Sequence, residues 1–457
     1  MKRFAWQWLA ISSLLLAATL AARAETRPQY GGTLRIGLSA VLSSLDPADA
    51  AQEDSFARRS VNALIFDNLL KSDASGRIQP FLAESWQATN GNRHWQFRIR
   101  RGVKFHDGTP LTAQNVATSL RVANPSWSVG VEGESVILDF EAARPELPAE
   151  LALMRNAVVK RDSNGRLSGT GPFRIVDWQP GKTLALAADD NCWRGRAFLD
   201  GMQIALGKNY RDQMTALELG KADLVEVAPE QAHRVSPERY QILHSSPMEL
   251  VALAFTHEAS AAEETALRQA LNLSVERASI YSVLLQGTGM PTASILPTWM
   301  SGYGFVFSIE ANLPKARQMR EQVRVVQNWK LGYDSGDPLA RLLAERVALN
   351  AKDAGLTLQP AASGGDLRLV RMPLASSDPR TALDAVLTRL NLPTAKARGT
   401  SVDDLYPEEQ AALATARVIP LIDLPATYSS TPKLRDWTVR SDGSWDIASA
   451  WLESAKP

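Results

Sequence analysis

The side chains that could make or break covalent bonds are few and scattered in this chain. Its five histidines are His94, His106, His233, His244 and His257, and no two have the spacing that brings imidazoles together on one metal ion. His257-Glu258 opens like a zincin signature, but no second histidine follows it. A serine nucleophile on a strand-to-helix elbow would show as GxSxG, which is absent. The glycines of Gly169-Thr170-Gly171-Pro172 invite comparison with a phosphate cradle, yet no Lys-Ser/Thr follows and no helix is predicted to open there. Cys192 is the only cysteine, which excludes an intramolecular disulfide and CxxC chemistry and reads as a small packed side chain. These residues point away from metal, nucleotide and covalent chemistry, so no cofactor and no metal is expected. A triad assembled from distant residues, as in a hydrolase, is the catalytic alternative.

The elements around them begin with an export signal. Lys2 and Arg3 form a short positive region, Leu9 to Leu20 is an apolar run of about a dozen residues, and Ala22-Arg23-Ala24 offers small residues at a cleavage site. Residues 1–24 are therefore read as a signal peptide cleaved after Ala24, and the apolar run falls short of the ~20 residues that span a bilayer. About 433 residues remain (457 minus 24), more than one core organises, so two or more lobes are expected. Lys+Arg 50 against Asp+Glu 49 leaves no electrostatic footprint for nucleic acid.

The pattern along the chain is α/β. Thr33 to Leu38 alternates like a strand, and Val61, Leu64, Ile65 and Leu69 predict a helix over about 57–70. Trp95, Phe97 and Ile99 alternate with polar residues after the turn-forming Asn90-Gly91-Asn92, which predicts a hairpin. Thr112 is placed to cap a helix through Leu120, with Gln114 beside the capping-box position. Phe173 to Trp178 and Thr183 to Leu186 predict a second hairpin, and 212–219, 263–285 and 338–354 predict helices. In the last of these, Leu339, Leu342, Leu343, Val347 and Leu349 form the expected apolar stripe.

Several segments carry a resemblance when taken in order: Tyr30-Gly31-Gly32-Thr33-Leu34, Leu45-Asp46-Pro47, Asp67-Asn68-Leu69-Leu70, PFLAESW at 80–86, and FRIRRGVKFHDGTPLTAQNV ending at Val116. GTGPFRIVDWQPG at 169–181, Ala216 to Asp223, LRQALNLSVER at 267–277, Gly332-Tyr333-Asp334 and Val418-Ile419-Pro420-Leu421 continue the series. Together they resemble the bacterial extracellular solute-binding proteins of family 5, the peptide- and nickel-binding proteins of ABC importers. On its own physics the 97–116 block is structural, because Gly102 and Gly108 allow tight turns, Asp107 bonds its own backbone and Pro110 fixes φ.

The resemblance implies a two-lobed α/β periplasmic-binding-protein fold with an extra β-rich subdomain in the first lobe. Lobe one would hold residues 25–252 and return over 420–457, with lobe two at 253–419 and a hinge where Leu250–Phe255 and Ile419–Asp423 cross. It implies capture of a peptide-like or other small solute by lobe closure and delivery to an inner-membrane ABC permease, by a periplasmic monomer that makes no nucleic-acid contact. A periplasmic sensor docking on a membrane receptor is the alternative. The ligand-facing positions it implies are Ser39, Val41, Ser43, Thr170, Tyr333 and Ser377. Peptide-binding relatives set an acid just before an Asp-Pro pair to hold the ligand's ammonium, but Ala375-Ser376-Ser377 precedes Asp378-Pro379 here, so Ala375 stands at the acid's place. Three readings are open: a ligand without a free amino group, a different alignment of a region shortened between Arg324 and Leu374, or an acid supplied by Asp334 or Asp366.

Overall fold

The computed structural model describes residues 27–73, 76–325, 327–394 and 399–453, and the expected signal peptide lies outside them. Strand β1 (Thr33–Gly37) forms as its alternation predicts, with Leu34 and Ile36 buried, and pairs in parallel with Gly201–Ala205 and with Leu224 and Val225. Helix α1 (Phe56–Ile65) opens on Ser55, whose side chain accepts the Arg58 N–H. It stops five residues short of the predicted end, because the Ile65 carbonyl takes the Gly171 N–H (3.0 Å) and the chain turns extended at Phe66. That stop is set by a residue a hundred positions away, which periodicity does not see.

The predicted first hairpin is Ala83–Thr89 paired with His94–Ile99, and it joins Ser128–Glu132 and Ser135–Asp139 in a four-stranded sheet. Asn90, Gly91 and Asn92 all have positive φ, the conformation a tight hairpin turn requires. Trp95, Phe97 and Ile99 face inward with Val116 and Leu120 of helix Ala113–Ala123 to make a separate core. Thr112 caps that helix, with Asn115 rather than Gln114 closing the capping box. The second hairpin is Phe173–Gln179 with Thr183–Ala188.

An eleven-stranded mixed sheet runs through the molecule. Its middle is an antiparallel pair of long strands, β2 (Gln241–Phe255) and β4 (Val418–Ser430), and β3 (Leu367–Pro373) lies beside the second half of β2. Both faces of β2 are covered: Val251, Leu253 and Phe255 enter one core, and Met248, Leu250 and Ala252 another. A central strand buried on both faces reads as the unbroken apolar run seen in its sequence. The β2–β4 register slips between His244 and Pro247, between Pro247 and Glu249, and between Val251 and Ala252. Such irregularities bend and twist a ladder. On one side of the first two slips β4 pairs with Leu224–Glu226, and Leu434, Trp437 and Trp445 return to pack with Leu34 and Ile36. On the other side lie the cores around Trp329 and Leu383.

Two further helices depart from their predicted pattern. The 263–285 segment is helical over Ala262–Ser274, breaks at Val275 and Glu276, and resumes over Arg277–Leu284, the break placing the buried Arg277 to donate to the carbonyls of Thr292 and Pro420 (both 2.9 Å). In Pro338–Asp353 the buried stripe is Leu339, Leu343 and Val347 with Ala340, Ala344 and Ala351, whereas Leu342 and Leu349 face solvent. Among the described residues no helix is long and apolar enough to cross a membrane.

Candidate ligand-binding cleft

Helix α1 runs along the seam between the two halves of the sheet, and three cavities open around it. The first, about 400 Å³, is bordered by the loop Pro47–Asp54, by Arg58, Arg59 and Asn62 of α1, by Leu153–Arg155 of the β-rich subdomain, and by Ala375 and Arg389 from the other half. The second, about 510 Å³, shares Arg59 and Ala375 and continues past Asp67 to Ser376 and Ser377. The third, about 190 Å³, lies where β2 and β4 slip, with Ser39 and Glu226 facing Glu249 and Arg371. The first and last volumes bracket the lower end of the range of small-molecule sites, about 300–1,000 Å³.

Adjacent arginines on α1 shape this seam. The Arg58 guanidinium donates to the carbonyls of Asp46 (2.9 Å), Pro47 (3.2 Å) and Asp49 (2.8 Å), and also to that of Gln52, so the loop is wrapped around a buried cation. Arg59 is held by Asp54 (2.9 Å) and donates to the Asp442 carbonyl (3.2 Å) and, across the seam, to that of Pro373 (3.5 Å). A second bridge across the seam joins Arg389 to Glu53 at 3.6 Å. In the third cavity Arg371 donates to Glu249 (2.6 Å) and Asp337 (2.7 Å). Burial opposes the Arg371 charge, but Glu249, Tyr210 and Asp337 hold its pKa well above the ordinary arginine value. Opposite it, burial raises the Glu226 carboxyl pKa even though the Ser39 N–H donates to it at 2.5 Å.

The implied ligand-facing residues divide. Ser39 borders the third cavity and Ser377 the second, from opposite halves. Val41 is 62% exposed and its methyl groups lie beside Gly181 and Gly207, outside the three cavities. Ser43 gives its N–H and hydroxyl to Gln52 Oε1 (2.8 and 2.7 Å), which ties the first loop together. Tyr333 packs half-buried on the core around Trp329 and bonds the Ala361 carbonyl. Thr170 is 1% exposed and donates to Asp67 Oδ2 (2.9 Å), an acid that also accepts from Trp193 Nε1 and Arg194 (both 3.0 Å). The structure therefore gives Thr170 a structural task. Thr170→Val is expected to cost about 1–2 kcal/mol in urea unfolding by leaving Asp67 one donor short. Solute affinity should be unchanged, and a variant that loses affinity at full stability would return Thr170 to the cleft.

Ala375 borders both larger cavities, so the position of the missing acid faces the seam. Neither proposed substitute does: Asp334 closes its own turn by accepting the Gly336 N–H (2.8 Å), and Asp366 accepts the N–H of Lys330 (2.8 Å) on the strand Asn328–Gly332, both outside the three cavities. The histidines stay apart: His94 meets Asp139, His244 meets Thr427 and His257 meets Glu264. Among the described residues no three His, Cys, Asp or Glu gather as a metal-holding group. Residues that sequence reasoning passed over are Arg58, Arg59, Asn62, Glu226 and Arg371. The one local signal was Arg58-Arg59 set beside the apolar stripe of α1.

The sequence profile described as bacterial extracellular solute-binding proteins, family 5 Middle, matches residues 77–365. Among curated proteins the chain is similar to heme-binding protein A of Haemophilus influenzae, 24% identical over 50% of each chain. It is also similar to the oligopeptide-binding protein AppA of Bacillus subtilis, 24% identical over 65% of this chain and 60% of that one. The chain thus spans between half and two thirds of the length of such relatives. Among solved structures, NikA from Staphylococcus aureus in complex with Ni(L-His)2 superposes with a TM-score of 0.76 at 17% identity, covering 92% of this chain and 100% of that one. The shared architecture is the two-lobed α/β fold of periplasmic binding proteins.

Proposed function

The chain belongs to the bacterial extracellular solute-binding proteins of family 5, and from that premise we propose that it captures a small, peptide-like solute between its lobes and hands it unchanged to the permease of an ABC importer. The family is one of transport proteins that bind solutes, not of catalysts. The observation that carries the reading is a cleft walled by both halves of a sheet whose long shared strands, β2 and β4, lose register at the level of that cleft. A ligand seated there touches Arg58 and Asn62 on one side and Ala375 and Arg389 on the other. It stabilises the closed form because only that form offers both walls.

In this reading the exported chain is cleaved after Ala24 and acts in the periplasm as a monomer. Lobe one comprises residues 25–252 and 420–457, and lobe two residues 253–419. The register slips favour bending near Ser245–Met248 and Leu424–Ala426, slightly to the lobe-one side of those boundaries. The Trp299 indole, which donates to the Pro247 carbonyl (3.1 Å), is then a natural reporter of the motion. Small-angle scattering on protein stripped of solute should show compaction when its solute is restored, and that solute should be recovered chemically intact. A profile unchanged at saturation, or a solute released as cleavage products, would sink the proposal.

A further inference from the structure

We propose that the first cavity holds its solute through an uncharged amide group paired with Asn62, not through a free amino terminus. The inference rests on the reading of the cleft as a solute site and names the chemistry of what enters it.

Asn62 is 1% exposed, and neither its Nδ2 nor its Oδ1 has a hydrogen-bond partner among the described residues. The other buried polar side chains of α1 are all satisfied. Arg58 and Arg59 have the contacts given above, and Ser60 Oγ accepts the Trp445 N–H (3.1 Å). A buried amide with both its donor and its acceptor idle is costly, and native interiors keep few of them. This one borders the cavity of about 400 Å³ that the first loop, the β-rich subdomain and the other lobe enclose.

The rest of that cavity offers no idle cation to an anionic ligand. Its cations are already engaged: Arg59 with Asp54, Arg389 with Glu53, Arg155 with Glu150 (2.6 and 2.8 Å), and Arg58 with backbone carbonyls. The Asp49 carboxylate is held below its ordinary pKa chiefly by the Ala51 N–H. An anionic ligand group would have to break one of these pairs or stay unpaired out of water, which is expensive. At the place where an acid would receive an ammonium there is the Ala375 methyl group. Pro47, Ala48, Ala50, Leu153 and Met154 complete an apolar wall. A carboxamide or lactam carries one donor beside one acceptor, the complement of an Asn side chain. Such a group satisfies both idle atoms at once and lays its remaining carbon skeleton on the small apolar residues.

The test uses the full-length mature chain and three probes in titration calorimetry: alanyl-alanine with free termini, N-acetyl-alanyl-alanine amide, and cyclo(alanyl-alanine). At least one amide-only probe should bind wild type about tenfold or more tighter than the free dipeptide, the equivalent of two net hydrogen bonds. Asn62→Leu should abolish that preference without lowering the melting temperature, since it removes an unsatisfied buried group. Ala375→Asp, at a half-buried position that borders the cavity, should shift the preference toward the free dipeptide. Equal or tighter binding of the free dipeptide to wild type overturns the proposal, as does an Asn62→Leu variant that keeps the preference. Failure of all three probes also overturns it. In that event, a co-purified solute of another class, seen by native mass spectrometry and released intact, leaves the solute-binding reading standing. If no co-purified solute is found either, both fall.

Discussion

Gly169→Ala is expected to cost at least about 4 kcal/mol of folding stability, the range in which single substitutions are exceptional. A Cβ built on Gly169 falls 1.9 Å from the Ile65 carbonyl oxygen, and one on Gly171 falls 2.6 Å from that of Leu64. Both obstacles are backbone atoms at the end of α1, so no rotamer change relieves them. The loop Gly169–Gly171 would have to withdraw, breaking the Gly171 N–H bond to Ile65 (3.0 Å) and loosening His106. The His106 backbone N–H bonds the Gly169 carbonyl (2.9 Å), and its ring meets the Gly171 carbonyl at 2.9 Å and the Gly169 N–H at 3.3 Å. Gly130→Ala is the control, since its added Cβ meets only Ile137 at 3.7 Å, an ordinary contact, and it should lose about 1 kcal/mol or less. Urea unfolding of the pair decides: equal midpoints would show that the close approach is not needed.

The same geometry explains why the GTGPF glycines are not a phosphate cradle. They are gaps through which one backbone passes another, and the FHDG segment clamps them through His106. Two blocks that identify the family at the level of sequence are therefore one contact in space. Thr170, between the glycines, is carried inward to Asp67 by that contact.

Where a residue's neighbours in sequence decide its state, the chain was legible. The turn at Asn90-Gly91-Asn92 that sets the alternation of Trp95, Phe97 and Ile99, and the cap at Thr112 closed by Asn115, lie within a dozen residues of what they fix. Where distant groups decide, it was not. Helix α1 ends at Ile65 because Gly171 caps its carbonyl, and the 263–285 helix breaks just before Arg277, which reaches Pro420. The cleft is the extreme case, since its facing pairs are Arg59 with Pro373 and Glu226 with Arg371. Ser39 and Ser377 reach cavities, whereas Val41 and Ser43, two and four residues beyond Ser39, pack on turns instead. A reading of types and order locates the loop but not the direction in which each side chain points. Asn62, beside Val61 on α1, looks in sequence like a solvent-facing amide. Only the packing of the first loop and the subdomain over it shows otherwise.

The second large effect concerns a carboxyl far from the cleft. Glu409, on helix α2 (Val402–Ala414), is wholly buried beside the core around Leu383, and burial pushes its pKa from 4.5 up to about 7. That happens despite the N–H groups of Ile295 and Leu296 and the Tyr303 hydroxyl (2.7 Å), all of which donate to it. Asp423, also wholly buried, is raised well above the ordinary carboxylate pKa by burial, against the Thr292 hydroxyl, with the nearness of Glu409 adding to the rise. A folded-state pKa above the unfolded one means that the native state holds the proton more tightly. Its contribution to stability is complete below about pH 4.5 and is lost as pH rises through about 7. The shift corresponds to about 3 kcal/mol. Glu409→Gln mimics the protonated group: its carbonyl can still accept both backbone N–H groups, and its amide can donate to the Tyr303 oxygen. Wild type and variant should unfold alike near pH 4 and diverge toward pH 8, where the variant is more stable by up to about 3 kcal/mol. Acids shifted the other way, such as Glu264 at about 2, lose their contribution in acid but do so equally in both proteins and cancel in the difference. Asp423 remains in the variant, so its curve should retain a shallower decline with rising pH. Parallel curves from pH 4 to 8 would show that Glu409 is ionised in the core without penalty, and that its three donors, not burial, set its pKa.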